Sequence, residues 1–140
     1  MRRVAAVVGM VLFASGCSTP ATPTALSSDF SDVFAGLYLG QHSLLGPTSL
    51  TRDSLKAHSV CRRSGAAKQG PGEDWICVVQ YDDGDSSVSQ SFEVQMKPDG
   101  CWRAEGPPTA QPPMLTDPAT GRLWVNQLAE FDGCLDTSWG

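Results

Sequence analysis

Between residues 30 and 38 the apolar side chains fall at a helical spacing, with Phe30, Val33, Phe34, Leu37 and Tyr38 at i, i+3, i+4, i+7 and i+8. One face of an α-helix is therefore apolar and must be buried. Ser27, Ser28 and Asp29 are its N-cap candidates, and Gly40 is a stop signal. Over residues 41–57 the pattern breaks at Gly46-Pro47, with Ser49 as a candidate cap for a short helix ending at Leu55.

From His58 onward the pattern is that of antiparallel strands, and the turns set their registers. A glycine-rich loop over residues 65–72, containing Pro71, separates a strand over 59–64 from a strand over 75–82. A hairpin symmetric about Gln69 brings Cys61 opposite Cys77, with Cβ atoms ~4.5–5.5 Å apart, within reach of a disulfide after a small twist. Elimination then pairs Cys101 with Cys134. Asp82-Asp83-Gly84-Asp85 is the next turn. It leads into a strand over 88–97, where Phe92, Val94 and Met96 alternate with Glu93, Gln95 and Lys97. Pro98-Asp99-Gly100 suits a three-residue hairpin with Gly100 in the left-handed position. That turn sets Lys97 opposite Cys101, Met96 opposite Trp102 and Val94 opposite Ala104. Phe92, Val94, Met96, Trp102 and Ala104 then form an inner face on which the helix docks. A two-residue turn would pair Met96 with Arg103 and bury a charge, so the pattern favours the longer loop.

Residues 106–113 are proline-rich and extended, and strands over 114–116 and 122–125 form a last short hairpin across residues 117–121. Cys134 is expected to pin the C-terminal segment onto the outer sheet face, where the register puts Cys101. The expected architecture is α+β: one helix on an antiparallel meander of about four strands, with a short C-terminal hairpin and two disulfides. One helix cradled by an antiparallel sheet is the cystatin-like arrangement, offered as an analogy only.

The N-terminal segment adds an address. Arg2 and Arg3 precede an apolar stretch over residues 4–14, shorter than the ~20 residues of a membrane-spanning helix. Ser15, Gly16 and Cys17 follow. This arrangement resembles the signal peptide and lipobox of bacterial lipoproteins, departing from that family at Ala14, where leucine is usual. The resemblance implies cleavage after Gly16 and a diacylglyceryl group on the Cys17 sulfur, whose two chains anchor stably. Ordinary secretion is the rival, since Ala14, Ser15 and Gly16 also suit a general signal peptidase. Cysteine parity separates the two: of five cysteines, four lie in the folded region, and acylation accounts for the odd one. The other four fit two disulfides in an oxidising compartment.

Loss of Arg2 and Arg3 leaves 8 basic against 15 acidic side chains, a formal −7, which argues against nucleic acid as a partner. The chain thus divides into a signal peptide over residues 1–16, a flexible tether over 17–28 rich in Ser, Thr, Pro and Ala, and one disulfide-stapled extracytoplasmic domain over 29–140.

Trp75-x-Cys77, Gly100-Cys101-Trp102-x-Ala104, Asn126 and Phe131-Asp132-Gly133-Cys134 together resemble small, uncharacterised lipoproteins of GC-rich Gram-positive bacteria. The resemblance supports the disulfides and the anchor and implies no catalytic residue.

Motifs with their own chemistry are missing from the sequence. His42 and His58 stand outside any HExxH spacing, no two cysteines form a CxxC pair, and neither a G-x-S-x-G elbow nor a P-loop occurs. Read as an EF-hand from Asp83, the acidic turn has Val88 where Gly is required and Val94 where Glu is required. No metal or other cofactor is therefore expected. Glu73 and Asp74 are separated from Asp82 and Asp83 by a strand, ~20 Å or more. Glu93 and Glu105 face each other in the inferred register and form a candidate carboxylate pair. Trp75 and Trp102 belong to the expected core; Trp124 and Trp139 are candidates for a contact surface.

The expected function is a non-enzymatic, lipid-anchored module that binds an envelope protein or another envelope component. The alternative is an envelope-acting hydrolase using a carboxylate pair. An enzyme predicts clustered carboxylates of raised pKa in one concave pocket, and a binding module predicts an exposed apolar or aromatic patch.

Overall fold

The computed structural model describes residues 21–135. Helix α1 spans Pro23–Leu45 and is longer at both ends than its apolar spacing predicts. Thr22 is the N-cap, its hydroxyl accepting from the Ala25 N–H at 3.1 Å, and Pro23 takes the first turn, where its missing N–H costs nothing. The last six residues of the expected tether are thus helical. Leu26, one turn ahead of Phe30, is fully buried and gives that turn its packing energy. Gly40 does not stop the helix either. The buried face continues to Gln41, and Gly46 is the C-cap. Helix α2, Arg52–Leu55, is capped by Thr51 rather than Ser49, through a capping box with Ser54, and buries Leu55.

Five strands form one antiparallel sheet in the order β1-β2-β3-β4-β7, with β1 His58–Arg63, β2 Gly72–Asp83, β3 Ser86–Met96, β4 Cys101–Glu105 and β7 Glu130–Cys134. The short strands β5, Met114–Thr116, and β6, Leu123–Val125, pair separately. The registers follow the turns: Cys61 opposes Cys77, Val94 opposes Ala104, and Met96 opposes Trp102. Lys97 and Cys101 close the three-residue hairpin with an N–H to carbonyl bond of 2.8 Å. At Gly100, φ is +85°, the left-handed turn position that suits glycine. One expectation is corrected. The segment around Cys134 does not lie over the outer face but joins the sheet as its fifth strand, with Cys134 opposite Cys101.

Both disulfides, Cys61–Cys77 and Cys101–Cys134, are present. Each ties an edge strand to its inner neighbour. Strand alternation sends the first to the inner face, where Cys61 and Cys77 are 1% and 0% exposed, and the second to the outer face, where Cys134 is exposed.

The core lies between α1 and the inner face. Trp75, Val79, Phe92, Val94 and Trp102 are essentially fully buried beneath Phe30 and Phe34. Phe30 is the hub: its ring centroid lies 5.4 Å from those of Phe92 and Trp102 and 5.3 Å from that of Phe131. Burial of each such aromatic ring contributes ~2–3 kcal/mol. The two tryptophans also place their polar edges, since Trp75 Nε1 donates to the Gly70 carbonyl at 3.0 Å and Trp102 Nε1 to Asp29 at 2.6 Å. At the mouth of the β1–β2 hairpin, Arg63 Nε donates to Asp74 at 2.9 Å. That guanidinium, helped by the Gly65 N–H, holds the Asp74 carboxyl below the usual carboxylate range.

Candidate functional site

The two edges of the five-stranded sheet meet different surroundings. Along β1, the Cys61 N–H donates to Ser27 Oγ at 2.8 Å, Ser59 Oγ donates to the Ser27 carbonyl at 2.7 Å, and the Ser31 and Ser59 hydroxyls are 2.9 Å apart. The hydroxyl side of α1 therefore closes that edge.

Along β7 the edge is open. The Gly106 N–H donates to the Ala129 carbonyl at 3.0 Å and the Leu135 N–H to the Gly100 carbonyl at 2.9 Å. In an antiparallel ladder these bonds recur at every second residue, so Phe131 and Gly133 turn their backbone groups toward β4. Glu130 and Asp132 turn theirs outward. Of the described helices and strands only β4 and α1 approach β7, and among the described residues no backbone partner reaches the N–H of Glu130 or Asp132.

A groove of about 840 Å³ runs along this open edge. It touches the consecutive residues Ala129, Glu130, Phe131 and Asp132, which alternate between the two sheet faces, so it is the edge itself that forms one wall. The opposite wall is Val33 and Leu37, on the flank of α1 that overhangs β7. Pro108 and Pro113 of the crossing segment and Val125 of β6 close the end. Beside it, the outward face of the β5–β6 hairpin exposes Met114 at 42%, Leu123 at 66% and Val125 at 71%. Glu105, Glu130 and Asp132 form an acidic rim.

A relay of side-chain amides holds the groove open. Asn126 is 2% exposed, and its Oδ1 accepts from Gln41 Nε2 and from the Leu128 N–H, both at 3.0 Å. Its Nδ2 donates to Gln111 Oε1 at 3.0 Å and to the Pro112 carbonyl at 2.8 Å. Gln111 Nε2 donates to Gln90 at 2.7 Å, and Gln90 Nε2 to the Tyr81 hydroxyl at 3.1 Å. Every polar atom of Asn126 is satisfied, so the crossing segment and the turn before β7 are locked to α1.

The remaining candidates fall elsewhere. Glu93 and Glu105 do oppose each other across β3 and β4, on the outer face. Glu105, however, stands 3.4 Å from Arg103 Nη2, and Glu130 lies 2.7 Å from the same nitrogen; both carboxylates are more than half exposed. Glu130 in turn pushes the Arg103 guanidinium pKa further up. Two carboxylates tied to one cation in open water make a charged rim rather than a sheltered acid and base. His42 stacks on Tyr38 at 4.3 Å between centroids, and His58 Nε2 lies 3.0 Å from Gln80 Oε1. Among the described residues no group of His, Cys, Asp and Glu gathers in a metal-binding cluster. Burial pushes the Tyr38 and Tyr81 phenols upward, with Asp83 beside both adding to it.

Trp124 is half-buried under the Arg122 guanidinium, 5.5 Å above its ring, on the face of β6 opposite Leu123 and Val125. The hairpin's exposed apolar face is thus made by its neighbours. Cys17 and Trp139 lie outside the described residues. Val33 and Leu37 were legible as part of the helix face. Leu123-Trp124-Val125, apolar at consecutive positions, signals a strand apolar on both faces, one of which the fold leaves uncovered. Among the described residues no helix is long and apolar enough to cross a membrane. Comparison with protein-family models, with curated proteins and with solved structures finds no match.

Proposed function

We propose that this chain is a lipid-anchored, extracytoplasmic binding module, tethered through Cys17, whose groove along the β7 edge docks a partner at the cell envelope. The observation that carries this reading is the combination of an apolar groove, a fixed frame around it and a contiguous exposed apolar face on the β5–β6 hairpin. Its volume is within the range of ordinary ligand and peptide sites. Two disulfides suit the oxidising compartment that the signal peptide implies. The anchor leaves from the N-terminal end of α1, and Val33 lies ten residues along that helix from Pro23, ~15 Å at 1.5 Å per residue. The groove therefore begins about three helical turns from the tethered end. The rim carboxylates serve as electrostatic selectors, and catalysis forms no part of the role.

The test is site-specific photo-cross-linking on intact cells. A photoreactive residue replacing Val125 should trap a reproducible species. The same residue replacing Val60, 65% exposed on the outer face of β1, should not. Equal trapping at both positions, or none at either, removes the groove as the docking site. The anchor has a separate readout: Cys17→Ser should release the protein to the medium or leave it unprocessed. A variant fully membrane-bound with its signal removed contradicts the lipid.

A further inference from the structure

We infer that the groove takes an extended peptide in which basic residues alternate with apolar ones, added as a sixth strand to the open edge of β7. This deepens the docking reading above and rests on it. Glu130 and Asp132 offer two N–H and two carbonyl groups to an incoming strand, and main-chain bonding of this kind gives affinity without dictating sequence. The side-chain pattern follows from the pleat. On one face of the added strand, side chains meet Phe131 and the overhanging Val33 and Leu37, which are apolar. On the other face they lie beside Glu130 and Asp132, with Glu105 behind; Arg103 there is already bonded to Glu130 and Glu105, and Lys97 stands on the same face toward the Cys101 end. Cross-strand neighbours share a face, so alternate positions of the peptide should be apolar and basic. The stretch from Ala129 to Asp132 matches about four residues of extended chain, ~13 Å.

Other occupants fit less well. A second copy pairing β7 with β7 antiparallel would set Asp132 against Asp132, or Glu130 against Asp132, and like charges directly opposed are destabilising. The acidic edge is thus defended against self-pairing and attractive to a basic strand.

The probe is a capped heptapeptide of alternating lysine and valine, with a block peptide of the same composition and an alternating glutamate–valine peptide as controls. Binding to the full-length, isotopically labelled protein in detergent is followed by amide exchange. The alternating lysine peptide should slow exchange at Glu130 and Asp132 by about tenfold or more. Phe131, whose amide already faces β4, should change little. Asp132→Pro removes an outward N–H that no ladder bond uses, a placement proline tolerates on an edge strand, and should weaken binding about tenfold. Should that variant misfold, Val33→Asp, on the half-exposed flank of α1, carries the same expectation. Binding without protection at Glu130 and Asp132, equal affinity for the block peptide, or unchanged affinity in the variants overturns strand addition. If the lysine peptide fails to bind while Val125 still traps a partner on cells, strand addition falls and the docking groove stands; loss of the Val125 cross-link removes the groove itself.

Discussion

The sheet ends in two edge strands that are stapled alike and finished differently. Strand β1 and strand β7 are each joined to an inner neighbour by a disulfide between directly opposed cysteines. At β1 the bridge points inward and the free backbone is met by Ser27 and Ser31 of α1. At β7 the bridge points outward, the helix presents Val33 and Leu37 across a gap, and among the described residues no backbone group pairs with the outward side of Glu130 and Asp132. An unpaired edge invites another strand, and proteins either cover it or place charge on it. This fold does the first on one side and the second on the other. The difference is what singles out the β7 edge as the proposed docking surface.

The largest expected effect comes from the two bridges. Loop entropy alone favours Cys101–Cys134, since its sequence separation of 33 is about twice the 16 of Cys61–Cys77, a difference of ~0.6 kcal/mol. Burial acts the other way. Cys61 and Cys77 are 1% and 0% exposed, and truncating two packed sulfurs costs ~1 kcal/mol each. Burial outweighs the loop term. Replacing Cys61 and Cys77 by Ala should therefore lower unfolding free energy by about 4–5 kcal/mol, and replacing Cys101 and Cys134 by about 3–4 kcal/mol. Denaturant titration of the two double variants measures the order, and the reverse order would mean that burial is not what separates the edges. Under mild reduction of the folded protein, alkylation should reach Cys134 first.

Turn chemistry made much of this legible beforehand. Pro98-Asp99-Gly100 and the glycine loop after β1 fixed the registers, and with them the opposition of Cys61 and Cys77 and of Met96 and Trp102. The start of α1 was hidden because residues 23–28 are mostly small and polar, so Leu26 looked isolated. The pattern that marks the start is Thr22 followed by Pro23, a cap and a first-turn proline. Strand β7 was hidden because Phe131 is its one large apolar side chain and Gly133 weakens any strand reading. The groove depends on long-range contacts. Gln41 reaches Asn126 across 85 positions of sequence, and no local periodicity records that bond.

Gly133 sharpens the picture of the open edge. A Cβ built there would lie 2.5 Å from Trp102 Cζ2 and 2.8 Å from Cε2. Trp102 cannot yield, being 1% exposed with its indole N–H held by Asp29 at 2.6 Å. The glycine that weakens β7 as a strand thus lets it pass over the largest core side chain of its neighbour. Gly133→Ala should cost about 2–3 kcal/mol, as overpacking of a filled core does. Thermal unfolding should fall by roughly 5 °C per kcal/mol for a domain of this size. A stability within ~0.5 kcal/mol of the parent would show that β7 can slide away from β4, and that the open edge is looser than its disulfide implies.

The smallest expected effect tests the closed edge. Ser27 Oγ accepts from the Cys61 N–H at 2.8 Å while donating to the Pro23 carbonyl at 2.6 Å, so one hydroxyl joins the first turn of α1 to β1. In Ser27→Ala the Pro23 carbonyl, on the exposed side, can turn to water. The Cys61 N–H, beneath the helix, is left without its acceptor, at a cost of about 1–2 kcal/mol. The specific readout is amide exchange. In the parent, the Cys61 amide should exchange far more slowly than that of Glu130, because one edge is bonded to the helix and the other faces the groove. The substitution should bring the two rates closer together while leaving Glu130 unchanged. If the Cys61 amide remains as protected as before, the overlying helix rather than its hydroxyl closes the β1 edge, and the contrast between the two edges becomes one of coverage alone.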